Sequence, residues 1–450
     1  MTTTSHVLRA IRGPALTFVD DPFVVGGPGS ARYEPDALIV FGDGRITDFG
    51  DHAAVASRLP PGVPVTTYRD ALILPGFIDA HVHYPQTPII GAFGRQLLDW
   101  LDRYTFPAEL RFADPAYARE VARAFLRECL RCGTTSAAVF CTVHSASVDV
   151  FFEEAQRIGA RMIAGKVLMD RNAPDGLVDT AQSGYDESKS LLRRWHGRGR
   201  LACAITPRFA ATSSDAQLDA AGALWREFPG AYVQSHVSEN TAEVEWVRTL
   251  FPERAGYLDV YGHHGLLGRR AIYGHGIHLT EDELARCHET GTAIAHCPTS
   301  NLYLGSGFLD IGRLARAERP VRVGLATDLG AGTSFSLLRT MGEAYKVGQA
   351  RGAALDAWRA FWLATRGAAR ALDLDGVVGS LEPGCEADFV VLDLRSTPLI
   401  DFRMKHCGSL EEALFVQMTL ADDRATRATW IAGDPVYDRD RSAPFAPALA

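Results

Sequence analysis

No apolar run in the 450-residue sequence reaches the ~18 residues needed to cross a bilayer, which argues against a spanning helix. The opening stretch, MTTTSHVLRAIRG, lacks the apolar core of a secretory signal, so the cytosol is the expected compartment. An excess of positive charge is also missing. The chain has 46 Lys and Arg against 54 Asp and Glu, a net charge of −8, with the two signs mixed along its length. That excludes the basic stripe of a nucleic-acid binder or an anionic-membrane binder. Cysteine is sparse and scattered: eight residues at 129, 132, 141, 203, 287, 297, 385 and 407 do not make a disulfide framework. The one C-x-x-C, Cys129 and Cys132, has no second pair. Its neighbours Ala118, Val121, Ala122, Phe125, Leu126 and Leu130 follow helical spacing, which puts both thiols on a buried helix face.

What is present is a regular alternation. Short apolar runs occur at 77–83, 134–140, 161–169, 201–207, 232–239, 271–278, 292–298 and 321–328. Helix-patterned stretches lie between them, near 115–131, 147–158, 185–197, 215–228, 241–250, 281–290, 308–317 and 335–351. Strands separated by helices imply βαβ units and a parallel sheet, and eight units give a (β/α)8 TIM-like barrel over residues 73–378. The flanks read differently. Residues 1–72, with Asp43-Gly44 as a hairpin turn, and residues 379–450 both carry turn-punctuated strand patterns. The simplest arrangement pairs the two ends into one small β-sandwich-like domain beside the barrel. The final Pro/Ala-rich stretch, DRSAPFAPALA, is expected to be loosely ordered.

In such a barrel the active site lies where the strands end, and ligand-type side chains collect at five of the eight ends. His81 and His83 stand two apart on strand one, so both project from the same side. Strand five ends in QSHVSEN with His236 and Glu239, strand six carries His275 and His278, strand seven His296, and strand eight Asp328. A lone strand histidine is more often a hydrogen-bonded core residue, and that reading stands for His296 and for His278. It does not stand for the set. Three imidazoles and a carboxylate at one barrel mouth suit a borderline-soft divalent ion, zinc first. His144 is a candidate for a supporting role. His6, His52, His196, His263, His264, His288 and His406 read as structural or surface residues. Lys166 stands on an apolar strand without a second ligand cluster, which favours one metal over a carbamylated pair. A bound divalent ion would acidify water, with Asp328 placed to take its proton and Glu239, three residues after His236, to act as general acid. The expected reaction is hydrolysis at an electrophilic carbon: an amide, an amidine-like ring carbon or a C–Cl carbon.

These residues, with the run-out GSLEPGCEADFVVLD, resemble the amidohydrolase superfamily of metal-dependent hydrolases. PGFIDAHVHYPQT, QLLDWLDRYTFPAE, TPRF, QSHVSEN, HCPTSN and ATDLGAGTSFS narrow the resemblance to the guanine deaminases over nearly the whole chain. The resemblance implies one zinc (iron or manganese being the alternatives), a cytosolic homodimer, and a small-molecule purine substrate, with attack of activated water at C2. It implies that His81, His83, His236 and Asp328 hold the metal, with His275 contacting the metal or its water. Glu239, Asp328 and His275 are then the catalytic residues, and Gln86, Arg208 and Phe209 hold the purine together with the side chains of His83, His236, Glu239 and Asp328. Gln offers a donor and an acceptor to a lactam edge, Arg donates only, and Phe stacks. Two departures stand out: LGAG after Asp328, where VAGG is expected, and Thr299 in HCPTSN. The rival readings are a sister hydrolase acting on a triazine, pterin or other aminopurine, and a non-catalytic scaffold, which would have lost ligands.

Overall fold

The computed structural model describes residues 8–441; His6 and residues 442–450 lie outside the described residues. Eight parallel barrel strands follow one another in space in chain order: Phe77–His83, Thr134–Phe140, Arg161–Gly165, Ala202–Pro207, Tyr232–Val237, Ala271–His275, Ala293–His296 and Arg322–Leu325. A two-residue strand, Val167–Leu168, continues the third beyond Lys166. Each strand is buried along almost its whole length, as the continuous apolar runs require of a sheet covered on both faces. The ring nearly closes. The backbone N–H of Asp328, just past strand eight, donates to the His81 carbonyl of strand one at 3.0 Å.

Amphipathic helices wrap the outside, among them Pro115–Arg131, Ser145–Arg157, Ala181–Trp195, Asp215–Glu227, Glu281–Thr290 and Leu337–Ala350. Cys129 and Cys132 are buried on and just after the first of these. One helix expected from the sequence shrinks. The pattern over 308–317 yields only the single turn Ile311–Leu314, preceded by a short helix at Pro298–Tyr303, because Gly305 and Gly307 break the chain between them with φ of 65° and 131°.

Both chain ends build one mixed sheet with its own core, which includes Ile11, Ile39, Phe41, Ile73, Phe389 and Trp430. The ends meet where Leu72–Pro75 runs antiparallel to Phe389–Leu392. Asp43 and Gly44 form the hairpin turn between Ala31–Gly42 and Arg45–Asp51, both with positive φ, as a two-residue primed turn demands. The C-terminal region is less purely β than its pattern suggests. Helices Pro398–Met404 and Leu410–Leu420 intervene before the last two strands, capped by the Thr397 and Ser409 side chains. Among the described residues no helix is long and apolar enough to cross a membrane.

Candidate metal and substrate site

The strand ends bring four imidazoles and one carboxylate into a single buried knot. His83 Nε2 and His236 Nε2 are 3.1 Å apart. Asp328 Oδ1 lies 3.4 Å from His81 Nε2 and 3.5 Å from His83 Nε2, and Asp328 Oδ2 is 3.8 Å from His275 Nε2. Ligand atoms of His81, His83 and His236 all fall within 4.8 Å of one another, as do those of His81, His275, Cys297 and Asp328.

The other ring nitrogens explain why these faces are presented. His236 Nδ1 donates to the Arg208 carbonyl at 2.6 Å, and His275 Nδ1 to Asn301 Oδ1 at 2.8 Å, which turns both Nε2 lone pairs inward. Nε2 of His81 and of His275 is buried without a hydrogen-bond partner. Unpartnered buried nitrogens converging on a carboxylate fit a divalent metal better than they fit a packed core.

Backbone strain gathers at the same place. Ser238, His275 and Asp328 have φ of 49°, 74° and 45°, a left-handed conformation that non-glycine residues seldom adopt outside sites that need it. Gly274 leaves room for a ligand, since a Cβ there would stand 2.8 Å from the His81 ring. Below the knot, Asp79 accepts from the backbone N–H of His81 and from the N–H and hydroxyl of Thr327, tying strand one to strand eight.

The electrostatics follow from burial and from this crowding. Burial pushes His83 and His236 well below the usual imidazole range, so both stay neutral and able to ligate. Burial works against the Asp328 carboxylate too, but the close approach of His81 Nε2, with the charges of His275 and His83, holds it well below the carboxylate range. Burial lifts Glu239 to about 7. Its Oε1 accepts from the Ser306 hydroxyl at 3.0 Å and its Oε2 is 3.3 Å from His275 Nε2.

A small cavity opens onto the knot. Gln86, Arg208 and Phe209 line it together with His83, His236, Glu239, His275 and Asp328, and Trp100, Leu97 and Leu101 form an apolar wall. The three side chains singled out in YPQT and TPRF thus share one cavity with the ligand knot. Gly330, in the LGAG loop, packs so closely on Gln86 that a Cβ would sit 2.0 Å from its Oε1. Thr299 faces a separate groove with Tyr303 and Ser334.

Other residues fall elsewhere. His278 lies beyond strand six and bonds the Ser306 carbonyl; His296 is buried and held near 3 by burial. His144 precedes a helix, near Lys166, whose ammonium makes an ion pair with Asp179 at 2.6 Å. Two residues escaped the sequence reading. Cys297 stands beside the ligands as a thiol kept protonated by burial, donating to the Ala295 carbonyl. Glu109 binds Arg208 from 99 residues away, a separation no local pattern reports, although it closes the quoted stretch DWLDRYTFPAE.

The barrel, the strand-end histidines and the terminal aspartate define a metal-dependent hydrolase. Residues 72–436 match the model of the amidohydrolase family, and the chain belongs to that family. It is 47% identical to the guanine deaminase of Escherichia coli, across 98% of this chain and all of the relative. The solved structure of that enzyme superposes with a TM-score of 0.93, covering 96% of this chain and 100% of the other. A guanine deaminase from C. acetobutylicum was solved with guanine bound in the active site. It matches at a TM-score of 0.86 and 28% identity, covering 96% of this chain and 100% of that one.

Proposed function

We propose that this chain hydrolyses guanine to xanthine and ammonia, with one divalent metal ion held by His81, His83, His236 and Asp328 and approached by His275. The observation that carries the reading is the shared cavity. A ligand knot with unpartnered imidazole nitrogens opens directly onto a glutamine, an arginine and a phenylalanine suited to a purine, in a chain close to a guanine deaminase along its whole length. Imidazole and carboxylate donors suit zinc as the first choice, with iron or manganese as the alternatives. A metal of this kind supplies Lewis acidity, which makes water a competent nucleophile at neutral pH.

The chain's own residues do the rest. Phe209 stacks on the base while Gln86 pairs with the lactam edge and Arg208 donates to an acceptor atom. Asp328, ionised and beside the ligands, takes a proton from the water that adds to C2. Glu239, titrating near neutrality, delivers its proton to ring N3, the proton taken up by Asp328 passes to the departing amine, and Glu239 is reprotonated from the new C2 hydroxyl. The C2–N bond breaks, ammonia leaves, and the oxygen from water remains on C2. Gln86 and Arg208 leave a buried donor or acceptor unmatched against a base lacking the lactam, which disfavours triazines and adenine.

Steady-state turnover of guanine, adenine, ammeline and a pterin by metal-replete protein tests this. Guanine is expected to have the highest kcat/KM, and preference for another of the four would overturn the reading. The same reading carries a cytosolic homodimer, which sedimentation of the purified protein and fractionation of cells check.

A further inference from the structure

Arg208, just past barrel strand four, uses its two ends differently. Its carbonyl accepts from His236 Nδ1 and, at 3.2 Å, from the Ser235 hydroxyl, so its backbone orients a metal ligand. Its guanidinium reaches the cavity, but not as a loose arm. Glu109, completely buried, accepts from the single nitrogen Nη1 with both carboxylate oxygens, at 2.9 and 2.8 Å. The ring of Phe106, three residues earlier, lies 5.6 Å from the guanidinium carbon.

A fork-to-fork pair would occupy two guanidinium nitrogens. Here one nitrogen takes both oxygens, and among the described residues no other side chain or carbonyl accepts from the rest of the guanidinium. Nε and Nη2 keep their donors for something else. A guanidinium cannot accept, so the partner must be an acceptor atom of the bound molecule. Glu109 itself stands behind Arg208, outside the residues that wall the cavity, while Leu97, Trp100 and Leu101 of the same segment form that wall.

We propose, on the basis of the guanine reading above, that Glu109 is a positioning residue that sets substrate specificity. It clamps Arg208 through Nη1 so that the remaining donors meet the acceptor edge of the purine, whose strongest acceptor is the C6 carbonyl oxygen. It acts on binding, not on the chemical step, because it touches neither the ligand knot nor the base.

Glu109→Gln keeps the side chain's size and removes its charge. The expected result is a KM for guanine raised about tenfold or more, with kcat within about threefold and bound metal unchanged. Inhibition by hypoxanthine, which bears the carbonyl, weakens in parallel, and inhibition by unsubstituted purine does not. Glu109→Asp recovers part of the loss, and Glu109→Gln added to Arg208→Gln costs nothing further. A fall in kcat at constant KM, equal weakening of both inhibitors, or multiplying losses in the double variant would each overturn the proposal. If Glu109→Gln does not fold, Glu109→Asp carries the test: a raised KM at constant kcat supports the clamp, and an unchanged KM overturns it. Absence of guanine turnover by the wild-type protein would instead refute the functional reading, which the variant ratios do not touch.

Discussion

At the end of the barrel where the strands begin, charged side chains come in closed sets. Arg161 opens strand three, Arg200 precedes strand four, and both donate to Glu386 at 2.8 Å; Arg200 also bonds Asp388. Arg269 and Arg270, beside strand six, share Asp373 at 2.7 and 2.9 Å. At the opposite end four imidazoles crowd one carboxylate, and three of their nitrogens, His81 Nε2, His83 Nδ1 and His275 Nε2, are buried without a hydrogen-bond partner. Both ends bury polar groups at strand termini, yet only the first satisfies them from within the chain. Saturated sets hold the barrel and join it to the end sheet, while an under-satisfied set with left-handed backbone at His275 and Asp328 is built for something the chain does not contain.

Variants at the two ends should therefore fail in different ways. On the proposed assignment Asp328→Asn removes a metal ligand and the base together, and kcat is expected to fall by about 10⁴-fold with loss of bound metal, measured by turnover and metal analysis. Glu239→Gln should keep the metal and lose about 10²–10⁴-fold in kcat, the range for a missing general acid; near-full activity would refute its role. At the other end, Glu386→Ala leaves Arg161 without its carboxylate and Arg200 with only Asp388 and the Gly159 carbonyl, and a loss of about 3 kcal/mol is expected in denaturant unfolding, with metal content kept. That contribution has a pH signature. The hydrogen bond from Arg161 and the charges of both arginines outweigh burial and hold Glu386 below the carboxylate range. A depressed folded value gives stability that is full above the unfolded value of about 4.3 and is lost as pH falls through the folded one. The stability gap between wild type and Glu386→Gln should accordingly close on acidification below about pH 4. The smallest effect on activity belongs to Gly330→Ala, strained both by a φ of 123° and by a Cβ that would press on Gln86: a KM for guanine raised several-fold, about 1 kcal/mol, together with a lowered unfolding midpoint, is expected.

Much of this contrast was legible in the sequence, for physical reasons. Parallel barrel strands are buried on both faces, so Phe77–His83 and Ala271–His275 read as nearly continuous apolar runs with ligand-type residues at their ends. Asp43-Gly44 reads as a turn because few other pairs tolerate two positive φ values. What stayed hidden depends on distance or on context. The pairing of Glu109 with Arg208 spans 99 residues, and the Glu386 set joins segments more than 180 residues apart. The segment 97–110, helical with a stretch of wider turn at Leu101–Thr105, folds over the cavity because of what it meets there, not through its own periodicity. Helix Leu410–Leu420 did carry a local signal, Ser409 three residues before Glu412, within a region that otherwise reads as strands.

On the proposed reading, the under-satisfied end of the barrel is a metal-dependent site for guanine. Its most direct test is the rate of ammonia release from guanine by the purified protein as isolated, after chelation, and after return of zinc. The account predicts release matched by xanthine, loss on chelation and recovery with zinc. Release that survives complete metal removal, or none from the zinc-replete protein, would contradict it.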